Sequence, residues 1–335
     1  RLGIEEIELG VATSLDRELP TLLAGCRALG ITARTALWCR CRDEDIEMAA
    51  SLRPNVLALS IPASDLHIAK KLGKGRAWIL ETINRSVKLA RKRGNSYISL
   101  GLEDATRAAP GFLLEIVNSA AAGVDRVRLA DTVGVATPAE LAWLVSAVKS
   151  RVAVEVGVHC HNDFGMATAN SLAALEAGAD WADVTVLGLG ERAGNARLEE
   201  VAGFLTLRRN RNYRVSQLRE LGELVSRLVG QPITPHHPVL GEKIFYCESG
   251  LHLQGLHADP STYEPYQPEQ VGAERRLLYG TKIGKGQLRH QLESVGVQAS
   301  PGKLDALIPP IRSSLARRGF PVGENEFQEL VTKNI

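Results

Sequence analysis

At 335 residues the chain is long enough to bury a large core, in one barrel-sized domain or in two domains. Its formal net charge is +2, and Lys and Arg are spread along the chain without a basic stripe, which argues against nucleic acid as the main partner. No apolar run approaches a membrane span, and five irregularly spaced cysteines suit a reducing cytosol better than a secreted scaffold, so we expect a cytoplasmic protein without a membrane partner.

The first two-thirds of the chain repeats one unit, in which a helical stretch ends near a glycine and a strand rich in Val, Ile and Leu follows. Seven strands are predicted, at 4–11, 32–40, 56–61, 97–103, 126–132, 152–161 and 183–187. Strands alternating with helices predict parallel pairing with right-handed crossovers. The repeat indicates a (β/α) barrel, with an open doubly wound sheet as the alternative.

Alternation within the strands favours the barrel. In 98–103, Ile, Leu and Leu alternate with Ser, Gly and Glu, and in 156–161 two valines oppose Gly157, His159 and His161. An open sheet covered by helices would be apolar on both faces. A polar inner face near the strand ends is what a barrel with a solvated catalytic mouth needs.

The strand count and the composition divide the chain. A closed (β/α)8 TIM barrel has eight strands, and Arg1-Leu2-Gly3 reads as the last turn of a helix, so we expect the first strand to be missing from this sequence. Near Arg214 the repeat stops and Pro, His and Tyr become frequent. We therefore expect an α/β barrel over 1–213, a helix and linker over 214–240, and α-helical C-terminal subdomains over 241–335.

Two imidazoles, His159 and His161, stand two positions apart at the end of a predicted strand. Positions i and i+2 of a strand share a face, so both rings point the same way. Converging neutral imidazoles are a common beginning of a divalent-metal site.

The flanks of this pair carry a family resemblance. Residues 156–169 read V-x-x-H-x-H-N-D-x-G-x-A-x-A, and residues 187–195 read L-G-L-G-E-R-A-G-N. Together they resemble the second signature of the isopropylmalate and homocitrate synthase family, on which nearly all of the chain can be laid. The segments 60–74 and 101–107 are most similar to the homocitrate synthases of nitrogen-fixing bacteria.

The resemblance implies an acyltransferase that condenses acetyl-CoA with a 2-oxo acid, assisted by a divalent cation such as Mg²⁺, Mn²⁺ or Zn²⁺. It implies that His159 and His161 are metal ligands, with Asn195 in or near the coordination shell. A 2-oxo acid can chelate such a cation through its carboxylate and keto oxygens, which draws charge from the carbonyl carbon. A further carboxylate ligand and an arginine are expected on the absent first strand.

Five inner-face residues are candidates for contacts with substrate. Glu8 matches a family position over the substrate and is a catalytic candidate; the alternative is a barrel-mouth ion pair. Arg40 could clamp a carboxylate with its planar fork, or it could be a solvated surface arginine. Ser99, Glu103 and Thr132 lie where the family lines its oxo-acid pocket.

The C-terminal region resembles the family's small helical subdomain in Glu248-Ser-Gly-Leu-His252 and in 260–265. The resemblance makes His252 the leading acid/base candidate, with Tyr263 as its hydroxyl-bearing neighbour, and imidazole titrates in the range that proton transfer needs. It also implies a homodimer in which this region covers the partner's barrel. The sequence departs from the family pattern at Gly157, where a Glu is frequent, and at Cys247, where a second His is common.

Several functions stay open on the sequence alone. Homocitrate synthesis from 2-oxoglutarate is preferred over isopropylmalate synthesis from 2-oxoisovalerate and citramalate synthesis from pyruvate. A metal-dependent lyase or aldolase on the same barrel is a second alternative, although the 248–252 element favours a synthase. A non-catalytic barrel that binds a partner is a third. A thiolate zinc site at Cys39, Cys41 and Cys160 is disfavoured, because Cys39 and Cys160 have outward parity.

Overall fold

The computed structural model describes residues 2–13 and 16–334 and separates into two compact units, 1–214 and 215–335. Arg1, at the start of the segment read as a helix end, lies outside the described residues, and Leu2 and Gly3 are not helical. The first unit contains the strands β1 (Glu6–Val11), β2 (Arg34–Arg40), β3 (Val56–Pro62), β4 (Ile98–Glu103), β5 (Arg126–Asp131), β6 (Glu155–Cys160) and β7 (Trp181–Asp183).

The strands form one parallel sheet in chain order, β1 to β7. The sheet is strongly curled. In a flat sheet β1 and β5 would lie about 19 Å apart, yet Arg126 of β5 reaches Glu6 of β1 at 2.5 Å and Arg128 reaches Glu8 at 3.0 Å. The polar faces of the strands therefore line the inside of a barrel wall, and the predicted α/β barrel fold is confirmed, with seven strands among the described residues.

Helices cover the outer face of this sheet. They are α1 (Leu19–Ala28), α2 (Asp43–Ser51), α3 (Asp65–His67, continued by a π-helical turn over Ile68–Leu72), α4 (Arg76–Lys92), α5 (Pro110–Ala120), α6 (Pro138–Lys149), α7 (Ala167–Glu176) and α8 (Leu198–Arg209). Leu100 and Val158 are fully buried between sheet and helices, as the alternation predicts. At α6 the start is fixed locally, because Thr137 and Glu140 form a reciprocal capping box around Pro138.

Two strands differ from the prediction. The seventh begins at Trp181, two residues before the predicted start, and ends at Asp183. A 3₁₀ turn over Val186–Gly188 follows, in which Leu187 has a φ of 59° that no strand allows. In β1 the predicted apolar face is solvated, with Ile7 39% and Val11 42% exposed, because β1 is an edge of the described sheet.

The second unit is helical but not wholly so. It contains α9 (Leu218–Val229), α10 (Gly250–Ala258), α11 (Lys285–Ser294), α12 (Pro301–Arg318) and α13 (Glu324–Thr332), and also the short strands β8 (Tyr246–Cys247), β9 (Arg276–Tyr279) and β10 (Val322–Gly323). The strands form a small sheet with β9 in the middle. Its own core includes Tyr279 and Phe327, whose stacked ring centroids are 4.2 Å apart. The predicted α-helical C-terminal region is thus confirmed, and it contains this small sheet in addition.

Across the described part of the chain, no helix has the length and apolar character that crossing a bilayer requires.

Candidate active site

The two predicted ligand histidines converge at the carboxyl end of β6. Their Nε2 atoms are 3.3 Å apart and their rings meet edge to face, with centroids 5.0 Å apart. Two nitrogens that share one ion at about 2.1 Å each would be separated by a similar distance, roughly 3.0–3.4 Å. The pair therefore has the spacing of two ligands of one cation.

His159 is oriented by a carboxylate. Its Nδ1 lies 3.1 Å from Oδ2 of Asp183 on β7, whose Cα pairs with that of His159 in the sheet register. Burial alone would raise the pKa of Asp183, but the charge of Arg128 and the hydrogen bond with His159 outweigh it and hold this pKa well below its usual range. The ionised carboxylate can only accept, so Nδ1 of His159 carries the hydrogen and Nε2 keeps a lone pair.

Asn195 lies opposite His161 in an isolated antiparallel bridge. Its Nδ2 donates to the carbonyl of Leu189 at 3.1 Å, while its buried Oδ1 has no hydrogen-bond partner. A buried carbonyl oxygen without a donor is costly unless something binds it. His159, His161 and Asn195 thus fit a divalent cation, with two nitrogen lone pairs and one unsatisfied oxygen.

The described residues do not complete this site with a carboxylate. No group of three or more His, Cys, Asp and Glu among them could hold a metal ion. Asp183, beside the pair, is already occupied by Arg128 and by Nδ1 of His159.

The two sequence motifs interlock, which explains why they occur together. Arg192 of the second motif donates from Nε and Nη2 to the two carboxylate oxygens of Asp163 in the first motif, at 2.8 and 2.9 Å. These bonds hold the pKa of Asp163 below its usual range. The amide of Asn162 also donates to the carbonyl of Gly194 at 2.9 Å. The loop that carries Asn195 is therefore fastened to the end of the histidine strand.

A glycine makes this close approach possible. Gly134, at the end of β5, has a φ of 62°, and a Cβ there would lie 2.8 Å from both Oδ2 of Asp163 and the carbonyl oxygen of His161. Only glycine combines this backbone conformation with such proximity.

Glu8 forms a barrel-mouth ion pair. Its Oε2 accepts from Arg128 at 3.0 Å, and the same Arg128 nitrogen donates to Asp183 at 2.8 Å. Burial would lower the pKa of Arg128, but the two carboxylates raise it above its ordinary value. Glu8 is thus linked to His159 through two further residues, and its side chain is 42% exposed.

A second polar cluster lies where β3 and β4 end, and we call it the β4-end cluster. It consists of Ser64, His67, Lys71, Glu103, Asp104, Arg107 and Thr132. Glu103 accepts from Nζ of Lys71 at 2.6 Å and lies 3.0 Å from Nδ1 of His67. This predicted pocket residue is therefore paired with Lys71 and contacts the ring of His67.

Thr132 and Asp104 connect this cluster to the rest of the barrel mouth. Asp104 is fully buried in the left-handed region, with a φ of 60°, and accepts from Arg107 at 2.8 and 3.0 Å. Its amide donates to Oγ1 of Thr132 at 2.8 Å, and the carbonyl of Thr132 accepts from Arg192 at 2.8 Å. Glu103 and Thr132 thus belong to one network that reaches the histidine strand.

Two predicted substrate-binding residues are placed elsewhere. Both carboxylate oxygens of Asp45 accept from the fork of Arg40, at 2.6 and 3.0 Å, which raises the pKa of Arg40. Ser99 is fully buried and accepts from Nε of Arg126 at 3.0 Å. By register Ser99 lies level with Arg126 and Glu155, four residues before His159 along the strands.

The structure brings His252 and Tyr263 together within the second unit. Their ring centroids are 4.1 Å apart and tilted by 32°. His252 lies in the first turn of α10, and Gly255 follows one turn later on the same face. A Cβ on Gly255 would collide with the Tyr263 ring, so the glycine lets the ring lie against the helix.

The cysteines do not form a thiolate site. Cys39 and Cys160 are fully buried in the core outside the sheet, and burial raises the pKa of Cys160 to about 12. All five cysteines are free. Cys247 is half-buried against the core of the second unit, and burial raises its pKa.

Comparison with known proteins agrees with this geometry. The profile of the HMGL-like family matches residues 1–225, and that of the homocitrate synthase post-HMGL domain matches residues 239–319. A hydroxymethylglutaryl-CoA lyase structure from Bacillus subtilis superposes with a TM-score of 0.62 at 20% identity, covering 70% of this chain and 84% of that one. At that identity the likeness concerns the fold alone.

Curated relatives are more similar. The chain is 37% identical to 2-isopropylmalate synthase 2 of Caldanaerobacter subterraneus (98% of this chain, 86% of the relative). It is 39% identical to the homocitrate synthase of Frankia alni (86% and 87%) and 36% identical to a putative citramalate synthase of Methanopyrus kandleri (98% and 65%). The chain is thus an HMGL-like barrel protein. Within that class it belongs to the homocitrate and 2-isopropylmalate synthase family of acetyl-CoA-dependent condensing enzymes.

Proposed function

We propose that the protein condenses acetyl-CoA with 2-oxoglutarate and that water then cleaves the thioester of the product, which gives homocitrate and free CoA. The observation that carries the choice of oxo acid is the β4-end cluster. Beside Glu103 it presents His67, Lys71 and Arg107, which are polar or cationic side chains. The isopropyl group of 2-oxoisovalerate would need an apolar wall, whereas the second carboxylate of 2-oxoglutarate suits cationic partners.

His159, His161 and Asn195 would hold a divalent cation, which when bound supplies a Lewis acid for the keto group of the oxo acid. Asp183 keeps a lone pair on Nε2 of His159, turned toward His161. Thr132 and Glu103 orient the oxo acid from the ends of β4 and β5. The hydroxyl of Thr132 would donate a hydrogen bond to the polar end of the oxo acid, and Glu103 would act there through Lys71 and His67, which it holds.

His252 would move the proton in this proposal. Its imidazole takes a proton from the acetyl methyl as the carbon–carbon bond forms, or returns one to the new alkoxide. Tyr263 packs on its ring and limits its orientation. Glu8, exposed and joined to Arg128, is the remaining candidate for a group that contacts substrate.

The resemblance also supports a homodimer in which the second unit of one subunit serves the barrel of its partner. Mixing inactive His159→Ala and His252→Ala proteins tests this arrangement. Activity should return on mixing if mixed dimers contain one intact site, and it should stay absent if each site is built from one subunit.

The test of substrate is the release of free CoA by the purified protein, expressed from its complete coding sequence, with a panel of 2-oxo acids and Mg²⁺, Mn²⁺ or Zn²⁺. The highest kcat/KM is expected for 2-oxoglutarate. Faster turnover of 2-oxoisovalerate or pyruvate would overturn the assignment and favour isopropylmalate or citramalate synthesis. Isopropylmalate synthesis is the second candidate, because a relative of that name matches 98% of the chain.

A lyase or aldolase activity, which would break a carbon–carbon bond instead of forming one, is less well supported. The region 239–319 matches the post-HMGL domain of homocitrate synthases, and it contains His252. A lyase would split a 3-hydroxyacyl thioester into acetyl-CoA and an oxo acid without added oxo acid, so chromatographic detection of acetyl-CoA formed from such a thioester would reveal it.

A further inference from the structure

The Arg128 side chain lies against two glycines on the inside of the barrel. In the sheet register it stands between Gly101 of β4 and Gly157 of β6. A Cβ on Gly101 would meet Nε and Nη2 of Arg128 at 3.5 and 3.6 Å, and one on Gly157 would meet its Cγ at 3.7 Å. Arg128 therefore lies beside both glycines, and at Gly157 it shares the neighbouring space with Trp181 and Arg126.

The guanidinium of Arg128 joins two carboxylates from the two edge strands of the described sheet, β1 and β7. Its Nη1 atom donates to Glu8 of β1 at 3.0 Å and to Asp183 of β7 at 2.8 Å. The Arg128 side chain is only 11% exposed, whereas Glu8 is 42% and Asp183 33% exposed. A mostly buried cation with two anionic partners is held firmly in place.

The Asp183 oxygen that accepts from Arg128 is also the one that faces His159. Oδ2 lies 2.8 Å from Nη1 of Arg128 and 3.1 Å from Nδ1 of His159. Arg128 thus fixes the position of the atom that selects the tautomer of His159. His161 has no such support, because its buried Nδ1 lacks a partner.

We propose that Arg128 and Asp183 are positioning residues for His159, which together hold its Nε2 as the unprotonated, metal-facing nitrogen. The inference rests on the proposed metal-binding role of His159. Arg128 passes beside Gly157 and anchors Asp183. The two residues act through His159 and need not touch substrate.

A purely structural role would make a different prediction, and the chain offers a matched control. Arg126 belongs to the same strand, two residues earlier, and pairs with Glu6 on β1 at 2.5 Å. It is 4% exposed and donates to Ser99, but no contact links it to His159. Arg126→Lys therefore reports what loosening a buried β1–β5 ion pair does to the barrel alone.

The test reads the tautomer and the metal affinity separately. In metal-free protein labelled with ¹⁵N-histidine, NMR should show His159 protonated at Nδ1, with the resonance assigned by its loss in His159→Gln. Asp183→Ala should shift His159 toward the Nε2-protonated form, and Arg128→Lys should do so in part. The dissociation constant for Zn²⁺ or Co²⁺ should rise about 10- to 100-fold in Asp183→Ala and less in Arg128→Lys.

Arg126→Lys should leave both readouts at wild-type values. An unchanged tautomer and unchanged metal affinity in Asp183→Ala would overturn the proposal, as would an equal loss in Arg126→Lys. If the wild-type protein binds no divalent cation, the proposed metal-dependent function is wrong. The NMR spectrum of the metal-free protein still decides whether Asp183 and Arg128 set the tautomer of His159.

Discussion

The two histidine sites of this protein are built in opposite ways. His159 and His161 lie at the carboxyl end of β6, between β5 and β7, and hydrogen bonds from neighbouring strands and from the Arg192 loop hold their surroundings. His252 lies in the exposed first turn of a helix, against the ring of Tyr263. A cation needs donors at fixed distances, whereas a proton-transfer group needs reach. The difference suits the proposed roles, a rigid cation site for His159 and His161 and an adaptable proton-transfer group for His252.

The largest expected effects come from removing one histidine of each kind. His159→Ala should lose most metal binding and, with it, turnover. His252→Ala should keep its metal while turnover falls about 10²- to 10⁴-fold, the usual range for a lost general acid or base. Metal content by mass spectrometry and CoA release on the same samples check both outcomes. Equal metal content in the two variants, with activity retained, would contradict the division of roles.

A substitution at Gly134 should disturb the packing around His159 and His161, the candidate metal site. Gly134→Ala places a Cβ against Asp163 and the His161 carbonyl in a left-handed backbone, so the free energy of unfolding should fall by about 3 kcal/mol. Denaturant titration measures it. The control is Gly165→Ala, which has a φ of 74° and no atom within 4 Å of its Cβ; strain alone should cost about 1 kcal/mol. Equal losses in the two variants would mean that the motif contact contributes nothing.

At the His252 site, a similar glycine-to-alanine substitution should lower activity and leave stability unchanged. In Gly255→Ala the added Cβ would meet the Tyr263 ring and Oγ1 of Thr262, which are side-chain atoms, and Tyr263 is 43% exposed. Alanine also favours the helix by about 1 kcal/mol, so stability should hold while kcat falls about tenfold through the misplaced ring. Gly286→Ala, a helical glycine with open space around it, is the control. A drop in melting temperature with full activity would refute this view of Tyr263.

The smallest expected effect is on the pH dependence of the unfolding free energy of the second unit. Burial, and then the neighbouring His290, lower the pKa of His257, although Glu324 opposes the shift. Below an unfolded pKa of about 6.5 the unfolded chain binds the proton first. The stabilisation by neutral His257 is therefore complete above that pH and is lost as the pH falls through the folded pKa. His257→Gln should flatten this acid-side decline in unfolding free energy; an unchanged slope would assign it to other groups.

Much of the fold was predictable because it rests on local periodicity. Alternation in 98–103 and 156–161 correctly separated the inner from the outer face. The seventh strand was misplaced, because Leu187 takes a positive φ that the pattern of Val184 and Val186 does not reveal. The solvated apolar face of β1 was equally invisible, since exposure depends on which strands lie beside it.

The candidate site was predictable where its residues are close in sequence. The i, i+2 spacing aligned His159 and His161, and the second motif supplied Asn195. The Arg128 contacts with Asp183 and Glu8 span 55 and 120 positions, so only the closure of the barrel brings them together. The pairing of Arg40 with Asp45 could have been inferred, because Asp45 is five residues away in the first turn of α2.

The most direct test of the central claim is CoA release from acetyl-CoA and 2-oxoglutarate by the metal-stripped protein before and after a divalent cation is restored. The account predicts no release without the cation, release on its return, and none when the oxo acid is omitted. Full activity in the stripped protein, or release that does not depend on the oxo acid, would contradict it.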